Sequence, residues 1–145
     1  MLNLKVFIFA LLFIFALIGL WLGMKWARMR RVFRFQSRDN LADADWFNCF
    51  YANSGLSEKE VMKTLHFVSD ALEIPSGLLR PSDRFKIELA PIVGWEYDDG
   101  MVELFWLLKD LATKKNIGSL PEINTIDEFI RFVVPLKTDC PGNFF

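Results

Sequence analysis

The sequence predicts an all-α protein in which an N-terminal transmembrane helix precedes a small helical bundle. Three observations carry that reading. Residues 6–24 form an uncharged apolar run, later segments carry apolar stripes at helical spacing, and no alternating strand pattern or Gly-rich phosphate loop is present. At 145 residues the chain has room for one domain and a short appendage. Its net charge of −1 conceals an asymmetry, because seven of the 17 basic residues precede position 39 and all 18 acidic residues follow position 38. An apolar then basic N-terminal piece joined to an acidic piece is the pattern of a membrane-tethered domain. Residues 39–145 carry ten basic and 18 acidic side chains, a charge of −8 that disfavours nucleic acid as a partner.

The run VFIFALLFIFALIGLWLGM spans 19 residues, about 28 Å as a helix against a hydrocarbon core of about 30 Å. A cleaved signal peptide is the rival reading. The run is long for one, no small-x-small site closes it, and Lys25 and Arg28 follow at once. With Trp21 and Trp26 at the interfacial level, a retained span over about residues 4–26 is expected. Six Lys/Arg lie within residues 25–38 and only Lys5 on the other flank, so the positive-inside rule predicts a single-pass inner-membrane protein whose soluble domain is cytoplasmic. Lys25, Arg28, Arg30, Arg31 and Arg34 are then candidates for anionic lipid headgroups, and residues 1–38 form span plus basic collar.

Residues 39–56 read as a short linking helix from about 42 to 51, presenting Trp46, Phe47 and Phe50 inward, with Gly55 as its stop. A capping box, Ser57 with Glu60, opens the next helix. Val61, Leu65, Val68 and Leu72 form its stripe, and Pro75 ends it at Ile74. His66 lies beside the stripe with no ligand-spaced partner and is assigned no role. Residues 75–91 hold three prolines and read as loop, with Leu78, Leu79, Phe85 and Leu89 as inward anchors and at most a helical turn around 85–89.

Asp98 or Asp99 caps the following helix, where a carboxylate opposes the positive end of the helix dipole. Its wheel groups Met101, Leu104, Phe105, Leu108, Leu111 and Ala112 on one apolar face and leaves Val102 and Trp106 off it. A second capping box, Thr125 with Glu128, starts a last helix that buries Ile126, Phe129, Ile130 and Val133 and closes at Pro135. Residues 135–145 are expected to be a flexible tail. Cys49 and Cys140 make neither a disulfide framework nor a CxxC site and read as unpaired thiols.

Leu79-Arg80-Pro81-Ser82-Asp83-Arg84-Phe85 with Glu88-Leu89, then Val102-Glu103-Leu104, then Ile123-Asn124-Thr125-Ile126, occur in order at nearly the spacings of one family. Over roughly residues 57–134 the chain resembles the acyl carrier proteins. The resemblance implies a helical bundle whose second helix docks partner enzymes, and a prosthetic-group serine at that helix's start. Counted without gaps, the serine position falls on Asp98, and no Ser or Thr occurs between Ser82 and Thr113. Residues 90–96 form an insertion of about five residues relative to the family. No phosphopantetheine cofactor is therefore expected.

Glu96, Asp98, Asp99 and Glu103 lack the His, Cys or further carboxylates that a metal site or acid–base catalyst needs, so neither metal nor enzymatic activity is expected. The expected function is non-enzymatic docking of an unknown protein partner through Asp98, Asp99, Val102, Glu103 and Trp106. The competing placement of Trp106 is beneath residues 39–55 or 90–96. Two other functions remain open, an immunity or inhibitor protein whose acidic domain neutralises a basic toxin, and an acyl carrier modified at another site.

Overall fold

A computed structural model of the chain describes residues 4–90 and 99–138. It is all-helical: α1 Leu4–Phe33, α2 Asp43–Phe50, α3 Glu58–Leu72, a single 3-10 turn Ser76–Leu78, α4 Asp99–Lys114 and α5 Ile126–Thr138. Among the described residues no helix is long and apolar enough to cross a membrane, the side chains of α1 being described without interruption only over residues 8–23. The uncharged run 6–24 lies wholly inside this 30-residue helix.

Helix α3 is the central element and packs against α2, α4 and α5. Its stripe is fully used, with Val61, Leu65 and Val68 at 0% exposure and Leu72 at 2%. The helix ends at Leu72, two residues before the expected Ile74. Glu73 takes the left-handed conformation (φ 55°) as C-cap, and its amide returns to the Asp70 and Ser69 carbonyls. That reversal satisfies the last carbonyls before Pro75 is reached. Ser57 stands at the N-cap but makes no side-chain capping bond, so the first predicted capping box is absent. The second is present. Glu128 N–H donates to Thr125 Oγ1 at 3.2 Å, and Glu128 Oε2 accepts from the amides of Thr125 and Asn124 at 3.3 and 2.6 Å.

The segment read as a linking helix shares the same core. Trp46 and Tyr51 are among the largest fully buried side chains, and Phe35 joins them at 2% exposure. Phe50, expected inward, is 39% exposed, because α2 ends there and its C-cap Tyr51 turns its ring inward instead. Gly55 (φ 74°) lies five residues past Phe50 and is not the stop. The four loop anchors Leu78, Leu79, Phe85 and Leu89 are all buried, and turn hydrogen bonds from Ile87 and Leu89 to Arg84 shape residues 84–89.

Pro135 does not close α5; the helix continues to Thr138 with Pro135 inside it. Proline removes one amide donor near a helix end, while Val133, Val134 and Leu136 keep their packing on the core. The rest of the predicted tail lies outside the described residues. Among the described residues, Thr64 Oγ1 is a buried side-chain oxygen without a hydrogen-bond partner.

Helices α3 and α4 cross at Gly100, where an added Cβ would collide with the Ala71 carbonyl oxygen and carbon. Backbone atoms of a packed helix cannot retreat as a flexible side chain does. Gly100→Ala is therefore expected to lower stability by about 2 kcal/mol in urea unfolding of the detergent-solubilised chain followed by far-ultraviolet circular dichroism. An unchanged midpoint would refute this close crossing.

Candidate protein-docking surface

The outward side of α4 is built by helical phase. At about 100° per residue, Leu104, Leu111 and Ala112 point into the core, with Met101, Leu107 and Leu108 half-buried beside them. This arc is rotated from the predicted face. Leu107 enters it and Phe105 leaves it, so Phe105 is 55% exposed rather than buried. Val102 and Trp106 stand off the core as expected, at 47% and 60% exposure. Trp106 is thus not covered by residues 39–55, and residues 90–96 lie, apart from Ala90, outside the described set.

Val102, Phe105 and Trp106 form one contiguous apolar patch, with Lys109 Nζ 5.0 Å from the Trp106 ring centroid. Glu103 is exposed along its flank, and Asp110, also exposed, pairs with Lys114 at 2.7 Å. Asp98 lies outside the described residues. Asp99 opens α4, but its side chain is not among those described. The structure therefore brings Val102, Glu103 and Trp106 onto one surface and adds Phe105 and Lys109, which sequence reasoning missed. The missed signal was Leu107, whose inward turn requires Phe105 to move out.

The junction with α1 holds a buried, bidentate ion pair. Asp83 is 2% exposed and accepts two parallel bonds from Arg38, Nη1 to Oδ2 at 2.7 Å and Nη2 to Oδ1 at 2.8 Å. The Arg80 amide adds a third at 2.8 Å, and Arg38 Nη1 also reaches the Leu78 carbonyl at 3.1 Å. The hydrogen bonds that Arg38 donates to Asp83 raise the Arg38 pKa further above its ordinary value. Arg34 donates to the carbonyls of Glu88 and Ala90 at 3.4 and 3.3 Å. Of the other collar residues, Lys25 stands 5.2 Å from the Trp21 ring centroid and Arg30 is exposed, whereas the side chains of Arg28 and Arg31 lie outside the described set. In the sequence alone Arg38 is one of the six Lys/Arg within residues 25–38. A bidentate partner 45 residues away leaves no mark in local spacing.

A second polar link joins α2 to α5. Tyr51 Oη donates to Asp127 Oδ1 at 2.7 Å, and Arg131 Nε donates to both Asp127 oxygens at 2.9 Å while standing over the Tyr51 ring. Burial, and then the bond to Asp127, push the Tyr51 hydroxyl far above the ordinary tyrosine range. His66, on exposed α3 surface, meets Asp43 of α2 at 3.0 Å. Among the described residues no group of three or more His, Cys, Asp or Glu is placed to hold a metal ion. Cys49 is an exposed free thiol, and Cys140 lies outside the described residues.

Comparison with protein-family models, curated proteins and solved structures returned no match.

The Tyr51 bond has a pH signature. A group whose pKa is raised on folding contributes stability that is fully present below its unfolded value, about 10 for tyrosine, and is lost as pH rises above it. Denaturant unfolding at increasing alkaline pH should show this decline in the wild type. Tyr51→Phe should be weaker at neutral pH and lack that part of the alkaline decline; parallel pH profiles would contradict the assignment.

Proposed function

We propose that the chain is a membrane-tethered, non-enzymatic docking module, held by α1 in the inner membrane with its bundle in the cytoplasm, that binds a protein partner through the outer face of α4. The observation that carries this reading is the patch of Val102, Phe105 and Trp106, three large apolar side chains about half exposed on consecutive turns of one helix. Single exposed apolar residues are ordinary, but a contiguous group containing Trp, rimmed by charge, is the composition that interface centres favour.

Helix α1 supports the tether. Ile8, Phe9, Leu12, Phe13, Phe15, Ile18, Leu20 and Leu22 are between 48% and 73% exposed around its circumference. A helix apolar on every side and uncovered by its own domain suits hydrocarbon rather than water. The basic collar supports the cytoplasmic orientation through the positive-inside rule. Confinement to a membrane raises the bundle's effective concentration for partners on the same surface.

The acyl-carrier resemblance supports docking without group transfer. The position that the resemblance assigns to the family's serine holds Asp98, and a carboxylate offers no hydroxyl for a phosphopantetheine ester.

The test is a pull-down of the full chain from solubilised membranes, quantified by mass spectrometry. Trp106→Ala is expected to weaken retention of the specific partner by about tenfold or more without shifting the unfolding midpoint. A partner retained equally by the folded variant would contradict the α4 surface. Intact mass after co-expression with a phosphopantetheinyl transferase should show no added prosthetic group; a mass gain would revive a carrier role at another site. If binding instead depends on salt throughout and Trp106 is indifferent, an inhibitor of a basic toxin is the better reading.

A further inference from the structure

Lys109 stands in the middle of the apolar patch on α4. At about 100° per residue its direction falls between those of Phe105 and Trp106 and within about 20° of that of Val102. Its side chain is exposed, and its Nζ lies 5.0 Å from the centroid of the Trp106 ring. The residues three and four positions away on either side are Phe105, Trp106, Ala112 and Thr113, so no helical neighbour offers it a carboxylate. The adjacent Asp110 points about 100° away and is paired with Lys114 at 2.7 Å.

Other surface cations of the bundle are treated differently. Arg84 meets Glu88, Lys114 meets Asp110 and Arg131 meets Asp127, each four positions apart, and Lys86 reaches Glu122 at 3.6 Å. Lys109 makes no ion pair among the described residues. Acids are plentiful in residues 39–145, 18 against ten basic side chains, yet none is set beside this lysine.

Water satisfies the Lys109 ammonium while the face is open. Once a partner covers Val102, Phe105 and Trp106, that water is excluded, and an ammonium buried without an anion is costly. The Trp106 ring face offsets part of the cost but accepts no ordinary hydrogen bond.

We propose that the partner's docking segment is apolar and carries an aspartate or glutamate whose carboxylate pairs with Lys109 at the centre of the interface. Charge complementarity decides the choice. A basic surface is repelled at this point, and a wholly apolar one buries the ammonium unpaired. The surrounding Val102, Phe105 and Trp106 exclude water from the pair and so strengthen it. This inference rests on the reading of the outer α4 face as a docking surface.

The experiment uses the full-length protein in native membranes, with a photoreactive side chain at Val102 whose adduct reports docking. Lys109→Arg, which keeps the charge, should retain the adduct. Lys109→Met, apolar and of similar length, should lower its yield about tenfold, and Lys109→Glu should lower it further. Unfolding midpoints check that each variant folds. In the wild type, carbodiimide, which joins an amine to a touching carboxylate as an amide, should link Lys109 to an aspartate or glutamate of the same partner, mapped by peptide mass spectrometry. An equal or higher adduct yield with folded Lys109→Met or Lys109→Glu, or no such link from Lys109, would overturn the pairing while leaving the docking face in place. Absence of any adduct in the wild type would defeat the docking reading and this inference together.

Discussion

Asp83 is the point on which the arrangement turns. It is a carboxylate buried to 2% exposure, and a buried charge is tolerable only when paired and hydrogen-bonded. Arg38 supplies that pairing from the segment leaving α1, so the solvation of one loop residue fixes where that segment must lie. Around this pair the same segment is tied down repeatedly. Phe35 enters the core with the Arg38 guanidinium 4.7 Å from its ring centroid, Arg80 Nη2 donates to the Asp39 carbonyl at 2.6 Å, and the Leu41 amide donates to Gly77 at 3.1 Å. Gly77 has no side chain because an added Cβ would strike Asn40 and the Leu41 carbonyl.

The consequence is a stiff junction between α1 and the bundle in place of a flexible linker. Arg34 and Arg38 spend their charges on bundle carbonyls and a bundle carboxylate. Loss of either partner of the Arg38–Asp83 pair leaves the other without its match. For a buried charge this costs about 3–5 kcal/mol, toward the lower figure here because the Arg38 side chain is 28% exposed. Helix α3 transmits this anchoring, since α2, α4 and α5 all pack on it. Helix α4 is thereby held with its Leu104–Leu111 side inward and its Phe105–Trp106 side outward.

Much of this was legible in the chain because it depends on local periodicity. The stripe of α3, the four buried loop anchors and the Thr125–Glu128 capping box follow from spacing and residue type alone. What was not legible depends on partners distant in sequence. Phe105 sits at the edge of the apolar arc of α4, and the neighbouring helices decide whether it or Leu107 turns inward. Tyr51 replaces Phe50 in the core because α2 ends one residue earlier than its apolar run suggests. Ser57 has the right type for a cap but makes no capping bond, and Pro135 is tolerated because only one amide is lost. On the candidate surface, Val102, Glu103 and Trp106 were found from the wheel, whereas Lys109 and Phe105 required the fold.

The central claim is that the outward face of α4 meets another protein while the rest of the bundle serves to hold it there. Site-specific photo-crosslinking in intact cells tests it most directly, with the reactive side chain placed in turn at Val102, Phe105 and Trp106, and at exposed Lys86 away from α4 as control. The expected result is one discrete crosslinked protein common to the three α4 positions and absent at the control. Uniform, partner-free labelling at all four positions would contradict a docking role for this face.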